Sequence, residues 1–452
     1  MEITFLGATE TVTGSKYLLS FDNRKILVDC GLYQGRKDLR LRNWNRLPID
    51  PATIDTVLIT HAHIDHTGYL PLLIKNGFRG TIYSTEGTKD LCSILLPDSG
   101  HLQEEEAEIA NKYGYSKHAP AFPLYTQKEA EEALNYFDTI AFNQQVNFTD
   151  EFSFQFLPAG HIIGSSFIRI QHKDYSLLFT GDMGRLHDPV MKAPTVIHDI
   201  DYLVVESTYG NRLHEPGHPK DYLKDIINKT AQRGGTVVIP SFAVGRAQAM
   251  LHYIYLLKKE KSIPDIPVFL DSPMAVNATH ILLKHIENLR LNEDECRQLN
   301  NIATYVNTPE ESKELDNNPF PKIIISASGM ATGGRVLFHI KAYGGDSKNT
   351  ILFTGYQAEG TRGARMVKGE KEIKIHGAMV QIQAQVESLS NTSAHSDYEE
   401  TLKWLSFYKK APKKVFITHG ELAAANSLKE KIEQQLGWSC VVPHYLQKET
   451  LS

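Results

Sequence analysis

The chain has 452 residues, 41% of them hydrophobic and 22% charged, with a formal net charge of −5; the length exceeds one ordinary core and favours two or three domains, two being the simplest reading. No stretch approaches the ~18–20 continuous apolar residues of a membrane-spanning helix, which points to a soluble protein. A negative chain is not a generally basic nucleic-acid coat, because phosphate binding relies on Lys and Arg releasing counterions, so any nucleic-acid path has to be a local basic stripe.

From the first residue, Met1-Glu2-Ile3-Thr4-Phe5 alternates like a strand with no basic and apolar leader before it, so the fold is expected to start at once. Strands are expected at 2–5, 17–21, 25–29, 56–59, 80–83, 152–157, 166–172 and 175–180, mostly with few polar interruptions. Residues 90–112 read as an acidic helix broken between Pro97 and Gly100, with Glu104, Glu105 and Glu106 on a solvated face, and 127–136 as a second helix. From about Tyr209 the pattern becomes strand, loop, helix in repeating units: 235–240 then 246–257, 267–271 then 275–286, 322–326 then 333–342. Such alternation implies a mostly parallel sheet flanked by helices, hence a second domain. A Gly- and Arg-rich stretch at 355–369 leads to strand-like sequence at 371–375 and 381–386, a helix at 397–408 and a strand at 414–418. Cys30, Cys92, Cys296 and Cys440 are far apart without C-x-x-C spacing, which argues against a thiolate metal site or a disulfide framework and fits a reducing cytoplasm.

The strongest local signal is Thr60-His61-Ala62-His63-Ile64-Asp65-His66, directly after an expected strand. Imidazoles and a carboxylate in one loop can converge on a point, whereas on a helix or strand their side chains would diverge, so a loop is expected here. Imidazole nitrogen with carboxylate oxygen suits zinc, and aspartate can also bridge to a second ion. Further ligands must come from elsewhere, and His161, Asp182 and His419 each follow an expected strand and sit beside glycine. Individually each could equally be a loop residue satisfied by backbone hydrogen bonds; with the histidine cluster they form a set.

These residues resemble the metal motifs of the metallo-β-lactamase superfamily, with Asp29 in Leu27-Val28-Asp29-Cys30-Gly31 matching the first. The resemblance implies an αββα sandwich in which His61, His63, His161 and Asp182 hold one zinc, Asp65, His66, Asp182 and His419 hold another, and Asp29 orients ligands from behind. Asp29 as a strand-end turn residue stays open. Within the same resemblance, Val204-Val205-Glu206-Ser207-Thr208, the stretch Ser326-Ala327-Ser328-Gly329-Met330 to His339, and Ser393-Ala394-His395-Ser396-Asp397 look like motifs A, B and C of the β-CASP nucleases. Pro240-Ser241-Phe242-Ala243-Val244-Gly245-Arg246 and Glu359-Gly360-Thr361-Arg362-Gly363 are family-like too. Asn391-Thr392 stand where the family usually has Gly-Phe. A histidine at motif C marks the RNA-processing branch, which includes bacterial and archaeal homologues of the endonuclease subunit of the cleavage and polyadenylation specificity factor.

The expected layout is therefore α/β: an αββα metallo-β-lactamase sandwich from 1–208 and 366–452 with a β-CASP domain inserted at 209–365. The expected activity is hydrolysis of single-stranded RNA, with endonucleolytic cleavage favoured, by a hydroxide bridging two zinc ions, the substrate lying in the cleft between the domains. His395 is the expected acid, Glu206 its orienting partner, and Asp182 the bridging ligand. His339 would support the acid or meet a phosphate, or be an ordinary helix histidine; Arg246, Arg335 and Ser328 would bind substrate, with Arg362, Arg365, Lys368 and Lys371 as extensions. A thioester or lactam hydrolase explains residues 61–182 equally well but leaves Glu206 and His395 idle. A DNA nuclease of the family and a metal-free scaffold are further alternatives, and a homodimer is left open.

Overall fold

In a computed structural model that describes every residue except Tyr115, Lys117, Tyr356 and Glu359, the chain divides into two compact units. Residues 1–187, 192–213 and 395–452 form the first, and 188–191 with 214–394 the second. Glu359, in one of the family-like segments, lies outside the described residues.

The first unit contains two seven-stranded sheets. One runs in the order Lys448–Thr450, Glu2–Phe5, Tyr17–Phe21, Arg24–Val28, Thr56–Leu58, Thr81–Ser84, Phe137–Thr139; the other Cys440–Val441, Lys414–Thr418, Tyr202–Glu206, Tyr175–Phe179, Ser166–His172, Phe152–Pro158, Gln145–Asn147. Both ends of the chain are needed: Lys448–Thr450 pairs antiparallel with Glu2–Phe5, and Lys414–Thr418 pairs parallel with Tyr202–Glu206. Period-two alternation sends Ile3, Phe5, Leu19 and Val28 from one sheet and Phe154, Phe156, Ile168 and Phe416 from the other into one buried core. A separate core joins Phe167, Leu203 and Ile417 to Trp404, Leu405 and Leu428 of the helices Tyr398–Leu405 and Leu422–Leu436.

Three sequence expectations change here. The helix Glu86–Tyr113 continues through Pro97 rather than breaking, because Leu91, Cys92, Leu96, Gly100, Ala107 and Ala110 keep one face buried at helical spacing. Gly100 lets that face close on the next segment, where a Cβ would meet the Gln127 nitrogen at 2.7 Å. The strands Phe137–Thr139 and Gln145–Asn147 were not anticipated; they are three residues each, polar, and close to the sheet edges. The 127–136 helix divides into Gln127–Ala133 and a tighter turn, Leu134–Tyr136.

The second unit is built on a six-stranded sheet ordered Thr304–Tyr305, Val268–Asp271, Ile323–Ser326, Val237–Pro240, Thr350–Thr354, Gln385–Leu389. Every neighbouring pair is parallel. Its central strands Val237–Pro240 and Ile323–Ser326 are apolar but for the terminal Ser326, as strands buried on both faces tend to be. The expected strand 381–386 splits: Ala378–Gln381 forms a hairpin with Glu372–Ile375, and Gln385–Leu389 joins the parallel sheet beside Thr350–Thr354. The chain therefore re-enters the first unit at His395, later than position 366, because that sheet takes one more strand. Among the described residues no helix is long and apolar enough to cross a membrane.

Candidate metal centre

The candidate groups sit at the C-terminal ends of six strands in the first unit: Asp29 follows Arg24–Val28, His161 follows Phe152–Pro158, Asp182 follows Tyr175–Phe179, Glu206 ends Tyr202–Glu206, and His419 follows Lys414–Thr418. After Thr56–Leu58 the expected loop is only half a loop: His61 and His63 precede the short helix Ile64–Thr67, which carries Asp65 and His66. Tight backbone lets them meet. Gly181, at φ +51°, has no room for a side chain, since a Cβ would lie 2.6 Å from the Thr60 Cβ, and His419 itself adopts φ 49°.

One atom each from His61, His63, His161 and Asp182 lies within 4.8 Å of the others, and the same holds for Asp65, His66 and His419. In the first group His61 Nε2 is 3.1 Å from His63 Nδ1 and 3.4 Å from Asp182 Oδ2, and His161 Nε2 is 3.3 Å from His63 Nδ1 and 3.6 Å from Asp182 Oδ2. In the second, His66 Nε2 is 3.0 Å from His419 Nε2 and 3.2 Å from Asp182 Oδ1, and His419 Nε2 is 3.3 Å from Asp65 Oδ2. Ligands about 2.1 Å from a tetrahedral cation are roughly 3.4 Å apart, so these spacings fit the edges of such a polyhedron. Asp182 turns one oxygen to each group. Its Oδ1 is buried without a hydrogen-bond partner, a costly state for a carboxylate oxygen that a cation there would relieve. The donor set fits metal ions.

Electrostatics agree. Burial holds the His61 imidazole down at about 3 and His161 well below its usual range, so both offer lone pairs. For His66 and His419 burial acts the same way but is outweighed, Asp182 being the main source of the upward push on each, with Asp29 and Asp65 adding to it for His66 and Asp65 for His419. Cation binding would displace those protons. Behind the cluster, Asp29 accepts from the Thr60 backbone at 2.8 Å and lies 2.7 Å from His66 Nδ1, which turns His66 Nε2 toward the pocket. Thr60 Oγ1 also bonds Asp29 and lies 3.1 Å from His61 Nδ1, and Thr208 Oγ1 lies 3.2 Å from His419 Nδ1. Sequence reading missed both threonines; their position next to a ligand or strand end was the available signal.

His395 stands at the rim of this cluster with a fifth of its side chain exposed. Its Nδ1 is 3.1 and 3.2 Å from the two Glu206 oxygens, its Nε2 is 3.9 Å from Asp182 Oδ2, and its ring centroid is 4.5 Å from that of His161. Glu206 is held in turn by the Met183 backbone N–H at 2.6 Å. Burial opposes the imidazolium, but Glu206 and Asp182 prevail and push its pKa up to about 9.

Ser328, Arg246, Arg335 and His339 belong to the second unit, and their side chains are engaged within it. His339 is fully buried, with Nε2 2.8 Å from Asp271 and Nδ1 2.6 Å from Asp316, so both of its ring nitrogens are engaged inside the second unit. Arg335 donates to Asp271 and to the Val306 and Asn307 carbonyls; Arg246 to the Thr354 carbonyl and Thr392 hydroxyl; Ser328 Oγ accepts from Thr332 and closes its own turn. Arg362 likewise caps the Lys374, Ala331 and Thr332 carbonyls. The Arg246 bond also accounts for Thr392 in the unusual Asn391-Thr392 pair.

Three family models match: a metallo-beta-lactamase superfamily domain over residues 18–207, a Beta-Casp domain over 247–366, and a Zn-dependent metallo-hydrolase RNA specificity domain over 379–443. The chain is 33% identical over 430 residues to ribonuclease TTHA0252 of Thermus thermophilus, covering 93% of each. It is 32% identical to transcription termination factor FttA of Methanosarcina mazei, covering 96% of this chain and 69% of that protein. A crystal structure of a protein of unknown function from Enterococcus faecalis V583 is similar in fold alone, with TM-score 0.58, 13% identity and coverage of 100% and 99%. The chain belongs to the β-CASP family of the metallo-β-lactamase superfamily.

Proposed function

We propose that this chain is a zinc-dependent ribonuclease that hydrolyses phosphodiester bonds in single-stranded RNA. The observation that carries the reading is the Glu206–His395 pair at the rim of the imidazole and carboxylate cluster, 3.1 Å apart, a feature that a thioester or lactam hydrolase would leave unused. Relatives named as a ribonuclease and as a transcription termination factor support RNA as substrate.

His61, His63, His161 and Asp182 are the proposed ligands of one zinc, and Asp65, His66, Asp182 and His419 those of a second. Bound there, the ions supply an activated water and offset the charge that builds on the phosphate. Asp29 holds His66 with its Nε2 lone pair inward. Glu206 accepts the Nδ1 proton of His395, which leaves Nε2–H to face the cluster. His395 then gives that proton to the departing ribose oxygen, and Glu206 keeps the ring oriented throughout. Partial exposure lets solvent restore the proton.

The test is zinc-loaded protein with end-labelled single-stranded RNA and matched DNA. Cleavage of RNA should vanish on chelation, return with zinc, and fall by about 100- to 10,000-fold in His395→Ala at unchanged metal content. Wild-type turnover in that variant overturns the assignment, and preference for DNA overturns the substrate.

A further inference from the structure

The net charge of −5 and the internal engagement of Arg246, Arg335 and Arg362 leave open what holds the RNA backbone. In the first unit, residues 36–46 read Arg-Lys-Asp-Leu-Arg-Leu-Arg-Asn-Trp-Asn-Arg, five cations against one carboxylate. Asp38 is taken by Arg36 at 2.9 Å, and Arg42 lies over the Tyr33 and Tyr445 rings. The side chains of Lys37, Arg40 and Arg46 are exposed and have no hydrogen bond, ion pair or ring contact among the described residues. Trp44 is 58% exposed, whereas Trp404 and Trp438, the only other tryptophans, are 0% and 8% exposed. Tryptophan carries a large apolar surface and is highly buried on average, so one left outward among unpaired cations calls for a ligand with both a ring and a negative charge.

The root of this arm is built into the metal loops. Asp29 lies 2.7 Å from His66, Cys30 N–H bonds the His66 carbonyl at 2.7 Å, and Leu32 N–H bonds the Ile64 carbonyl at 3.0 Å. Gly31 packs so tightly there that a Cβ would overlap the Asp65 carbonyl at 1.5 Å. Asn43 then clasps Tyr33, accepting from its N–H at 2.9 Å and donating to its carbonyl at 2.8 Å, so both ends of residues 33–43 are tied together.

We propose that residues 36–46 form an RNA-holding platform outside the cleavage pocket, in which Trp44 stacks on a base and Lys37, Arg40 and Arg46 meet phosphates. This deepens the ribonuclease reading and rests on it for the substrate. Sequence-tolerant single-strand binding uses the same pair of devices, an aromatic face for a base and cations tracking the backbone.

Because the other two tryptophans are buried, Trp44 is also the reporter. Zinc-loaded His395→Ala protein, which should bind without cutting, is titrated with a 20-nucleotide single-stranded RNA while tryptophan emission is read. Saturable quenching is expected, and it should disappear in the Trp44→Phe form of the same protein, which retains both buried tryptophans. Trp44→Ala should weaken binding about tenfold, and Arg40→Ala with Arg46→Ala should reduce the slope of log affinity against log salt by about 0.7 for each phosphate no longer neutralised. In the otherwise wild-type enzyme, Trp44→Ala should raise KM for the 20-mer but leave kcat, and leave a trinucleotide substrate unaffected. Matched single-stranded DNA quenching to the same extent supports a platform that reads phosphate and base without the sugar. RNA that binds without quenching Trp44, or a salt slope unchanged in the double variant, overturns the proposal, and the surface then belongs to a protein partner. Quenching and salt dependence without any cleavage would instead sink the nuclease reading and leave the platform standing.

Discussion

Asp29 ties the first of the donor loops together from behind the cluster. Its carboxylate takes the Thr60 backbone N–H, the Thr60 hydroxyl and His66 Nδ1, and it is fully buried at φ 56°. Exchange to Asn keeps the volume but replaces one oxygen by a donor, so one of these bonds turns repulsive. Asp29→Asn should weaken metal affinity about 10- to 100-fold, read by competition with a chromogenic chelator; unchanged affinity would make Asp29 a turn residue only. The donor cluster was legible in the sequence because histidine and aspartate gather at 61–66 and the remaining three each follow a strand. The setting of His339 was not legible, for the opposite reason. Its partners Asp271 and Asp316 are 68 and 23 residues away, and nothing local in sequence distinguishes a histidine clamped between two carboxylates from one aimed at a phosphate.

At the scale of elements, the helix Tyr398–Leu405 anchors the segment that carries His395 to the core of the first unit. Its N-cap, Asp397, accepts from Glu400 N–H at 3.0 Å just after His395, and its far end buries Trp404 completely, with Nε1 donating to the Thr195 carbonyl at 2.8 Å and Phe167 at its edge. Trp404→Ala removes that side chain and strands the Thr195 carbonyl. A loss of about 3–5 kcal/mol is expected from the cavity, measured as a lower urea midpoint with unchanged slope; a loss below about 1 kcal/mol would mean the helix is not anchored there. Trp404→Phe should recover part of it. The strands with period-two alternation were readable to within a residue or two, whereas Phe137–Thr139 and Gln145–Asn147 carry no such pattern and exist through pairing with strands already in place. Pro97 misled in the same manner: local propensity favours a break, yet the buried stripe on either side of it keeps the helix whole.

Over the whole molecule, each unit holds a buried charge cluster of a different kind, and the two are expected to respond to different variables. In the second unit, burial opposes the His339 imidazolium, but its bonds to Asp271 and Asp316 raise its pKa above 6.5. Asp271 is held below 3.8, against burial, by His339, Ser312 and Arg335. A histidine whose folded pKa is raised contributes its full stability below about pH 6.5 and loses it as pH climbs through the folded value; the depressed aspartate keeps its share above about pH 3.8 and loses it as pH falls. Between those limits the clamp is complete. His339→Gln should therefore destabilise the second unit most between pH 4 and 6.5 and progressively less toward alkaline pH. Hydrogen exchange over the strand Ile323–Ser326, corrected for intrinsic rates, gives the readout, and a penalty independent of pH would contradict a charged clamp. The first unit should depend on metal instead. Asp182 Oδ1 is buried without a hydrogen-bond partner, and the imidazoles of the cluster lie 3.0–3.3 Å from one another, a spacing that a cation between them would stabilise. All three tryptophans, Trp44, Trp404 and Trp438, lie in the first unit, so tryptophan emission follows that unit alone. Zinc at about 1,000 times its dissociation constant adds about 4 kcal/mol to whatever binds it. Chelation should accordingly lower the tryptophan-detected melting temperature by several degrees while exchange in Ile323–Ser326 at low temperature stays unchanged. If chelation leaves the tryptophan melt where it was, the seven donors do not hold metal in the folded protein, and the proposed chemistry loses its foundation even with every residue in place.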